Sequence, residues 1–390
     1  MDFPLSKRLS MLPPYLFQEI DALKSELKKS GADVINLGIG DPDLPTPPHI
    51  VEALRKAALN PANHQYDFGN GKQVLREACA SYYKTRFGVT VDPNTEIIPL
   101  LGSKEGIGHI HLAFVNPGEV VLVPEPGYPV YHSGTLFADA ETYYMPLKEE
   151  NDYLPDLDAI PEEVAKRAKM MFLCYPNNPI AVTAPLSFYK KALDFAKKYN
   201  IIIAHDAAYA DVYYDGIKPH SFLEVEGAKE YCVEYYSLSK TYNMTGWRVA
   251  FAVGNPSLVA GLSRIKGNLD SGIFGAVQDA AVEALTGDQS WREELLRTYQ
   301  ERRDALVNGL QALGCPVKPS QAAFYVWAPV PQGMTSKETA MKLLKEAAVV
   351  ATPGNGFGPS GEGYIRMTLT APKERLLEAV ERIKKLNIYK

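Results

Sequence analysis

Six short apolar runs between residues 97 and 253 constrain the fold of this chain more than any other feature. They show little of the apolar–polar alternation of a half-exposed strand, which predicts strands that are buried on both faces. Helical stretches such as residues 186–199 separate the runs, so we expect a mostly parallel sheet within an α/β domain. The runs are residues 97–100, 120–123, 170–173, 201–204, 233–236 and 249–253.

The segments before and after these runs show other patterns. Residues 15–30 predict an amphipathic helix with its apolar residues on one face and a natural stop at Gly31. After the last run, a long polar helix is followed by short strands and further helices, which is typical of an α+β unit. We therefore expect a large α/β domain over residues 46–287 and a smaller α+β domain over residues 288–390. An N-terminal arm, residues 1–45, would pack in part with the smaller domain.

Composition argues against several classes of protein. The net charge of -5 gives no basic surface for nucleic acid or for an anionic membrane. No apolar run approaches the roughly 20 residues that span a bilayer, and the N-terminus shows no apolar signal core. The four cysteines lie far apart without CxxC spacing. We therefore expect no disulfide framework, no metal site and a location in a reducing cytoplasm.

Polar residues collect at the ends of the apolar runs. In open α/β sheets, ligands bind at the carboxyl ends of the strands. A small-residue turn that leads into a helix, such as Gly102-Ser103-Lys104, presents backbone N–H groups and the positive end of the helix dipole to an anion. The other residues at such positions are Tyr128, Asn178, Asp206 with Tyr209, and Ser237 with Ser239 and Lys240.

The types of residue at Lys240 and Asp206 indicate which kind of ligand the strand ends bind. A lysine framed by Ser237 and Ser239, with Arg248 just beyond, suits a phosphorylated aldehyde. The amine would form a Schiff base, while the hydroxyls and the guanidinium would hold the phosphate. An acid directly after a buried strand is costly unless it meets a cation, and a protonated pyridine nitrogen is such a cation. Pyridoxal phosphate needs both a lysine and an acid.

Pyridoxal phosphate also accounts for the remaining polar side chains. Tyr128 would stack on its ring, and Tyr209 with Asn178 would bond its phenolic oxygen. Ser103 and Lys104 would hold the phosphate together with the two serines and the arginine around the lysine. Each of these residues alone has an ordinary structural role as the alternative, but their succession at strand ends favours one cofactor site.

The chain resembles class I/II aminotransferases, which are pyridoxal phosphate enzymes of fold type I, over nearly its whole length. The motifs that carry the resemblance are Ser-x-Ser-Lys…Gly-x-Arg, ending at Arg248, and Asp-x-x-Tyr, ending at Tyr209. Residues 101–106, 127–131 and 205–209 are similar to LL-diaminopimelate aminotransferases in particular. The resemblance implies a mostly parallel seven-stranded sheet in the large domain. It also implies ping-pong transfer of an amino group from an amino acid to 2-oxoglutarate.

The same resemblance implies roles for individual residues. Lys240, Asp206 and Tyr209 would be catalytic, with Lys240 as the cofactor-binding lysine and the proton shuttle. Tyr66 would reach the phosphate of a neighbouring subunit, which implies a homodimer with shared active sites. For the substrate, the implied residues are Arg366 as the clamp of the α-carboxylate, Tyr15, Gly40, Asn178 and one residue of the stretch 268–271.

The turn after the third run departs from the family pattern. The family usually has Asn-Asn-Pro-Thr-Gly, whereas this chain has Ile180 and Ala181 in the last two positions. If the backbone there needs a positive φ, the alanine would be strained. This departure leaves substrate choice and activity level open. The alternatives are an aspartate, alanine or aromatic aminotransferase, a β C–S lyase or decarboxylase with the same cofactor, and a non-enzymatic ligand-sensing module.

Overall fold

The computed structural model describes residues 3–12, 17–29, 31–67 and 69–389 of the chain. Its strands are β1 (Ile35–Asn36), β2 (Ile97–Leu100), β3 (Val120–Glu125), β4 (Glu141–Pro146), β5 (Ala168–Cys174), β6 (Ile202–Asp206), β7 (Cys232–Ser237), β8 (Ala250–Gly254), β9 (Tyr325–Pro329), β10 (Val349–Val350), β11 (Thr352–Pro353) and β12 (Tyr364–Thr368). Its helices are α1 (Lys7–Ser10), α2 (Phe17–Lys29), α3 (Pro48–Ala57), α4 (Gln73–Phe87), α5 (Ser103–Phe114), α6 (Val130–Phe137), α7 (Glu162–Arg167), α8 (Leu186–Tyr199), α9 (Leu238–Thr241), α10 (Pro256–Leu269), α11 (Gly275–Thr286), α12 (Ser290–Ala312), α13 (Ser336–Ala347) and α14 (Lys373–Lys384). Within the described ranges, none of these helices has the length and apolar character needed to cross a bilayer.

Seven strands form the central sheet, in the order β2-β8-β7-β6-β5-β3-β4. Strand β8 runs antiparallel to β2 and to β7, while all the other neighbouring strands of this sheet are parallel. Each of the six apolar runs lies on a strand of this sheet. The structure therefore confirms the predicted α/β fold with a mostly parallel seven-stranded sheet.

Both faces of the central sheet are buried, as the lack of alternation predicts. Successive residues of a strand point to opposite faces. On β5, Phe172 packs in the apolar cluster that includes residues of α5, α6 and α10. The next residue, Leu173, packs in the cluster that includes residues of α4, α8 and α11. A strand between two such layers needs apolar residues at every position, which explains the unbroken runs.

Strand β4 is absent from the six predicted runs because it lies at the edge of the sheet. It pairs with β3 and carries mainly exposed or half-exposed residues, such as Glu141 and Tyr144. Met145 is its one buried residue. An edge strand with one buried position has no apolar run for a sequence pattern to detect.

The C-terminal part of the chain forms smaller sheets. Strands β11, β12 and β9 form an antiparallel sheet in that order, and β10 pairs in parallel with β1. The N-terminal segment therefore adds a strand to the C-terminal part. The domain boundaries after residues 45 and 287 stay predictions.

Helix α2 corresponds to the amphipathic helix predicted over residues 15–30. Residues 15 and 16 lie outside the described residues, and the helix covers Phe17–Lys29. Its Leu23 and Leu27 pack against Leu344 of α13 and Val350 of β10. The apolar face of this helix thus lies on the C-terminal part of the chain.

The turn after β5 places Ala181 in the left-handed region, with φ at +67°. A residue with a Cβ pays roughly 1–2 kcal/mol to adopt that conformation. The surrounding backbone holds it there: the Ala181 N–H donates to the carbonyl oxygen of Asn177 at 3.0 Å. The Ala181 carbonyl oxygen accepts from the N–H groups of Gln321 at 3.0 Å and Ala322 at 3.2 Å. The departure from the family pattern therefore introduces backbone strain at a turn that joins the two parts of the chain.

We predict that Ala181→Gly leaves the free energy of unfolding within about 0.5 kcal/mol of the wild-type value. Relief of the left-handed strain offsets the loss of one buried methyl group. The matched control is Ala192→Gly in α8, which also removes a fully buried methyl group but in a helix interior. It should cost about 1–2 kcal/mol. Urea unfolding of both variants measures the difference, and equal destabilisation would show that Ala181 is not strained.

Candidate active site

Neighbouring strands bring the predicted residues to one edge of the central sheet. Strands β5, β6 and β7 are adjacent and parallel, so their carboxyl ends lie side by side. Asp206 ends β6, Asn178 follows β5, and β7 leads directly into α9, which carries Lys240. Strands β2 and β7 both run antiparallel to β8, so β2 ends at the same edge and α5 starts there at Ser103.

Lys240 lies in the cleft above this edge. Its Nζ donates to the carbonyl oxygen of Gly40 at 3.3 Å and lies 5.9 Å from the centre of the Tyr209 ring. Burial lowers the pKa of Lys240 to about 8, with nearby Arg248 and Arg366 acting in the same direction and carboxylates acting against it. A sizeable fraction of this amine is therefore neutral near physiological pH, so it can act as a nucleophile or a base.

The Asp206 carboxylate is almost fully buried, with 6% of the residue exposed. Burial raises its pKa, and two hydrogen bonds oppose this effect. Oδ2 accepts from the Tyr131 hydroxyl at 2.8 Å, and Oδ1 accepts from the Ala208 N–H at 3.2 Å. A buried carboxylate with neutral donors is best stabilised by a cation, and a protonated pyridine nitrogen is one.

The first turn of α5 lies beside the Arg248 guanidinium. Gly102 precedes α5 with φ at +81°, and a Cβ at this position would collide with Nη2 of Arg248. Arg248 donates to the carbonyl oxygens of Leu101 at 3.2 Å and Thr245 at 3.0 Å. A helix start and a guanidinium thus lie together, which suits a phosphate.

The other predicted phosphate ligands lie at the start of α5 and where β7 leads into α9. Ser103 and Lys104 are the first residues of α5, and the Lys104 side chain is exposed. Ser237 and Ser239 are buried at the start of α9, where Ser237 Oγ accepts from the Ser239 N–H at 3.2 Å. The role of these residues in binding a phosphate stays a prediction.

Lys266 contacts the first turn of α5 through Glu105. Its Nζ donates to Glu105 at 3.0 Å and to Asp270 at 2.8 Å, and Glu105 also accepts from the Leu101 N–H at 2.6 Å. Glu105, His109 and Asp270 place three possible metal ligands within 4.8 Å of one another. Lys266 already supplies a positive charge to both carboxylates, and the expected lack of a metal stays a prediction.

Arg366 is a buried cation with neutral partners. Its Nη1 donates to Oδ1 of Asn178 at 3.0 Å, and its Nη2 donates to the carbonyl oxygen of Gly38 at 2.7 Å. The guanidinium carbon lies 4.3 Å from the centre of the Tyr325 ring and 4.6 Å from that of Phe357. Burial lowers the pKa of Arg366, and among the described residues its Nε has no hydrogen-bond partner. Such a guanidinium suits a bound carboxylate.

Tyr325 is part of this cleft, although its sequence surroundings are those of an ordinary apolar strand, β9. Its hydroxyl lies 2.6 Å from the hydroxyl of Tyr209, and a Cβ at Gly40 would collide with the same oxygen. The glycine is thus required by the close approach of Tyr325. The run 324–327 predicts a strand, and nothing in its pattern distinguishes a cleft-facing tyrosine from a core tyrosine.

Three predicted tyrosines differ in how the structure places them. Tyr128 meets the Tyr131 ring edge-on, with centroids 5.9 Å apart and planes at 78°. Tyr66 has 74% of its surface exposed. Tyr15 lies outside the described residues. The geometry thus brings Tyr128 next to a hydrogen-bond partner of Asp206, whereas most of the Tyr66 side chain is exposed on the surface of the chain.

The cleft suits pyridoxal phosphate. Lys240 offers a largely desolvated amine, and Asp206 offers a buried carboxylate that a ring nitrogen can neutralise. The lack of a side chain at Gly102 lets the Arg248 guanidinium approach the start of α5. These are the three partners that an aldehyde, a pyridine nitrogen and a phosphate require.

A family model described as aminotransferase class I and II matches residues 32–383. The chain belongs to this family. It is therefore an aminotransferase that uses pyridoxal 5′-phosphate, and its substrates are small molecules, an amino acid and a 2-oxo acid. The family assignment confirms the resemblance seen in the motifs around Asp206 and Lys240.

Several relatives are similar over almost the whole chain. The chain is 55% identical to LL-diaminopimelate aminotransferase of Syntrophobacter fumaroxidans over 387 residues, which is 99% of this chain and 100% of that protein. It is also 55% identical to the protein of the same name from Aquifex aeolicus, over 99% of this chain and 100% of the relative. Among solved structures, substrate-bound BacF of Bacillus subtilis has a TM-score of 0.95 and 45% identity, covering 100% of this chain and 98% of that one.

A more distant structure shows the same fold. A double mutant of Thermus thermophilus aspartate aminotransferase has a TM-score of 0.93 and 28% identity, covering 99% of this chain and 100% of that one. The backbone is thus shared with an aminotransferase of another named specificity. The fold therefore supports the reaction class but does not choose the substrate.

We predict that Lys240 in the apoenzyme reacts with trace acetic anhydride with a midpoint near pH 8, because burial disfavours its charged form. Peptide mass spectrometry of protein labelled between pH 6 and 11 gives the profile of each lysine. Lys198, whose pKa is raised by the Tyr199 hydroxyl beside it, serves as the internal comparison and should become reactive only at higher pH. A Lys240 profile that coincides with that of Lys198 would contradict the burial argument.

Proposed function

We propose that this chain is an LL-diaminopimelate aminotransferase. It would exchange an amino group between the LL-diaminopimelate–tetrahydrodipicolinate pair and the glutamate–2-oxoglutarate pair by a ping-pong mechanism, in the cytoplasm. The observation that carries the proposal is the 55% identity to several proteins of that name over essentially their whole length. The cleft supports the reaction class independently, because it places an amine, a carboxylate and a guanidinium around one space.

In this proposal, the residues at the sheet edge hold the cofactor. The phosphate is bound by Ser103, Lys104, Ser237, Ser239 and Arg248. Asp206 pairs with the ring nitrogen, and Lys240 forms the covalent link. Tyr209 and Asn178 bond the phenolic oxygen, and Tyr128 stacks on the ring. When bound, pyridoxal phosphate supplies an aldehyde for the amino group and a ring that accepts the electrons left when Cα loses a proton.

Lys240 moves the proton in this proposal. Its Nζ takes the proton from the substrate Cα as a general base and returns it to the carbon that receives the amino group. A pKa of about 8 suits both steps, because the amine is then neutral often enough to accept a proton and still acidic enough to give it back. The positive charges of Arg248 and Arg366 favour the neutral amine.

Arg366 selects substrates that carry an α-carboxylate. Its hydrogen bonds to Asn178 and to the Gly38 carbonyl oxygen fix the plane of the guanidinium. The partly unmet donor capacity of this buried cation can then serve a substrate carboxylate, which accepts two parallel hydrogen bonds from a guanidinium. Asn178 thus acts on both ligands, through the orientation of Arg366 and through the cofactor.

We predict that LL-diaminopimelate with 2-oxoglutarate gives a kcat/KM at least about tenfold above that of aspartate, alanine or phenylalanine, since a site fitted to one substrate discriminates by 1–3 kcal/mol per lost contact. Coupled assays of the purified holoenzyme measure this directly. Preference for another amino acid would refute the proposed specificity, and pyruvate with ammonia from cystathionine in the absence of an acceptor would indicate a lyase. Arg366→Gln is the control, and it should lose roughly 100-fold in kcat/KM for every α-amino acid.

We further propose a homodimer in which Tyr66 reaches the cofactor phosphate of the partner subunit. The support is the exposed surface around this residue. Tyr66, Leu269 and Phe274 are all exposed. The rings of Phe274 and His64 lie side by side, with centroids 6.3 Å apart. Asp67, next to Tyr66, would collide with a Cβ at Gly272, so the Tyr66 loop and the segment after α10 lie together. Apolar side chains clustered at one surface suit a second copy of the chain.

A mixed dimer tests the sharing of sites. We predict that Tyr66→Phe weakens cofactor binding by about tenfold, because a hydrogen bond to a charged phosphate is lost. In a dimer of one Lys240→Ala subunit and one Tyr66→Phe subunit, the working lysine site should bind pyridoxal phosphate with wild-type affinity, since its tyrosine comes from the other chain. Weakened binding at that site would place Tyr66 in its own subunit's site, and a Tyr144→Phe subunit is the control for an exposed tyrosine hydroxyl.

A further inference from the structure

Tyr131 on α6 is a buried tyrosine whose hydroxyl meets Asp206. The residue has no exposed surface, and its Oη donates to Asp206 Oδ2 at 2.8 Å. Tyr131 belongs to the buried layer between the sheet and α5 and α6, and Asp206 is also buried. A hydrogen bond to a buried carboxylate is worth more than one at the surface, because no water replaces it when it is lost.

The ring of Tyr131 is fixed from several sides. It stacks on Phe172 of β5, with centroids 4.9 Å apart and planes at 18°. Phe172 in turn stacks with the buried His111 of α5, at 4.9 Å and 20°. The Tyr131 carbonyl oxygen accepts from the Thr135 hydroxyl at 2.8 Å, and its N–H donates to the Tyr128 carbonyl oxygen at 3.2 Å. The hydroxyl can therefore point in few directions other than toward Asp206.

Tyr131 is a neutral donor, and its neighbours around Asp206 are also mainly neutral. Burial raises the pKa of Tyr131, so its proton stays in place throughout the physiological range. In the described part of the chain, Tyr131 is the side chain that donates a hydrogen bond to Asp206. The groups that face Asp206 are Tyr131 from α6, Cys174 from β5, His205 from β6, Tyr209 after β6, Tyr235 from β7, Lys240 from α9 and Tyr325 from β9.

We propose that Tyr131 is a positioning residue that fixes the Asp206 carboxylate and keeps it ionised toward the cofactor ring nitrogen. The hydrogen bond acts on Oδ2 and lowers the pKa of Asp206, against the effect of burial. An ionised Asp206 keeps the ring nitrogen protonated, which the reaction needs for electron withdrawal. This inference rests on the proposed role of Asp206.

Tyr131 also contacts Tyr128, the residue proposed to stack on the cofactor ring. Its ring meets Tyr128 edge-on at 5.9 Å, so one side chain contacts both the proposed acid and the proposed stacking residue. The change Tyr131→Phe separates the two contributions, because it keeps the ring in its stack and removes only the hydroxyl. Tyr235→Phe is the matched control: Tyr235 is fully buried opposite Asp206 on β7, and its hydroxyl has no hydrogen-bond partner among the described residues.

The test uses apoenzyme reconstituted with pyridoxal phosphate that carries ¹⁵N in its ring. The ¹⁵N chemical shift reports whether the ring nitrogen is protonated, and titration of cofactor fluorescence gives the dissociation constant. We predict that Tyr131→Phe weakens cofactor binding by about tenfold, and that the loss of the ring proton occurs about one pH unit lower than in the wild type. Without its donor, Asp206 becomes the stronger base and competes for the proton. Tyr235→Phe should leave both values unchanged.

Two comparisons separate this inference from the proposal on which it rests. If Asp206→Asn releases the ring proton while Tyr131→Phe matches the wild type in ¹⁵N shift, the role of Asp206 holds and the role of Tyr131 is refuted. If Asp206→Asn itself leaves the ring nitrogen protonated, the proposed role of Asp206 fails first. A shift of the same size in Tyr235→Phe would show a general loss of packing and would also overturn the inference. The melting temperatures of the apoenzymes confirm that each variant is folded.

Discussion

The burial of ionisable groups in one cleft is the constraint on which the rest of this structure depends. Burial lowers the pKa of Lys240 and Arg366 and raises the pKa of Asp206, so each charge is costly in the protein alone. In the proposed complex, ligands with complementary charges offset these costs: a carboxylate at Arg366 and a protonated ring nitrogen at Asp206. The buried charges thus cost free energy in the empty cleft, and bound ligands of opposite charge lower that cost. The same desolvation of these side chains favours ligand binding and lowers the pKa of the Lys240 amine.

The central sheet makes this burial possible. A side chain at the end of a strand that is covered on both faces cannot move away from its neighbours, because the packed layers fix the backbone. Asp206 ends such a strand, and Lys240 follows the adjacent strand after a single turn of helix. The small antiparallel sheet supplies Arg366 and Tyr325 from the opposite side of the cleft. The charged groups therefore come from both parts of the chain, and the contact between those parts sets their spacing.

The sequence predicted the central sheet and the family's motif residues, because both leave local signals. The apolar runs identify strands covered on both faces, and residues such as Asp206 and Lys240 are unusual at the ends of those runs. Tyr131 and Tyr325 gave no such signal, because a tyrosine in an apolar stretch has the same pattern whether it packs in the core or lines a cleft. Their roles depend on a hydroxyl meeting a residue 75 or 116 positions away. Such pairs become visible only when the tertiary structure brings them together.

The Ile180–Ala181 turn connects the departure from the family pattern to Arg366, the proposed substrate clamp. Ile180 is buried in an apolar cluster with Trp327 and Phe357 of the C-terminal part. Phe357 is one of the two rings that lie against the Arg366 guanidinium. An isoleucine where the family usually has threonine therefore adds apolar contact behind the clamp, and the strained Ala181 is the other side of the same change. The turn thus combines a strained backbone position at Ala181 with apolar packing between the two parts of the chain, beside the arginine that we propose binds the substrate carboxylate.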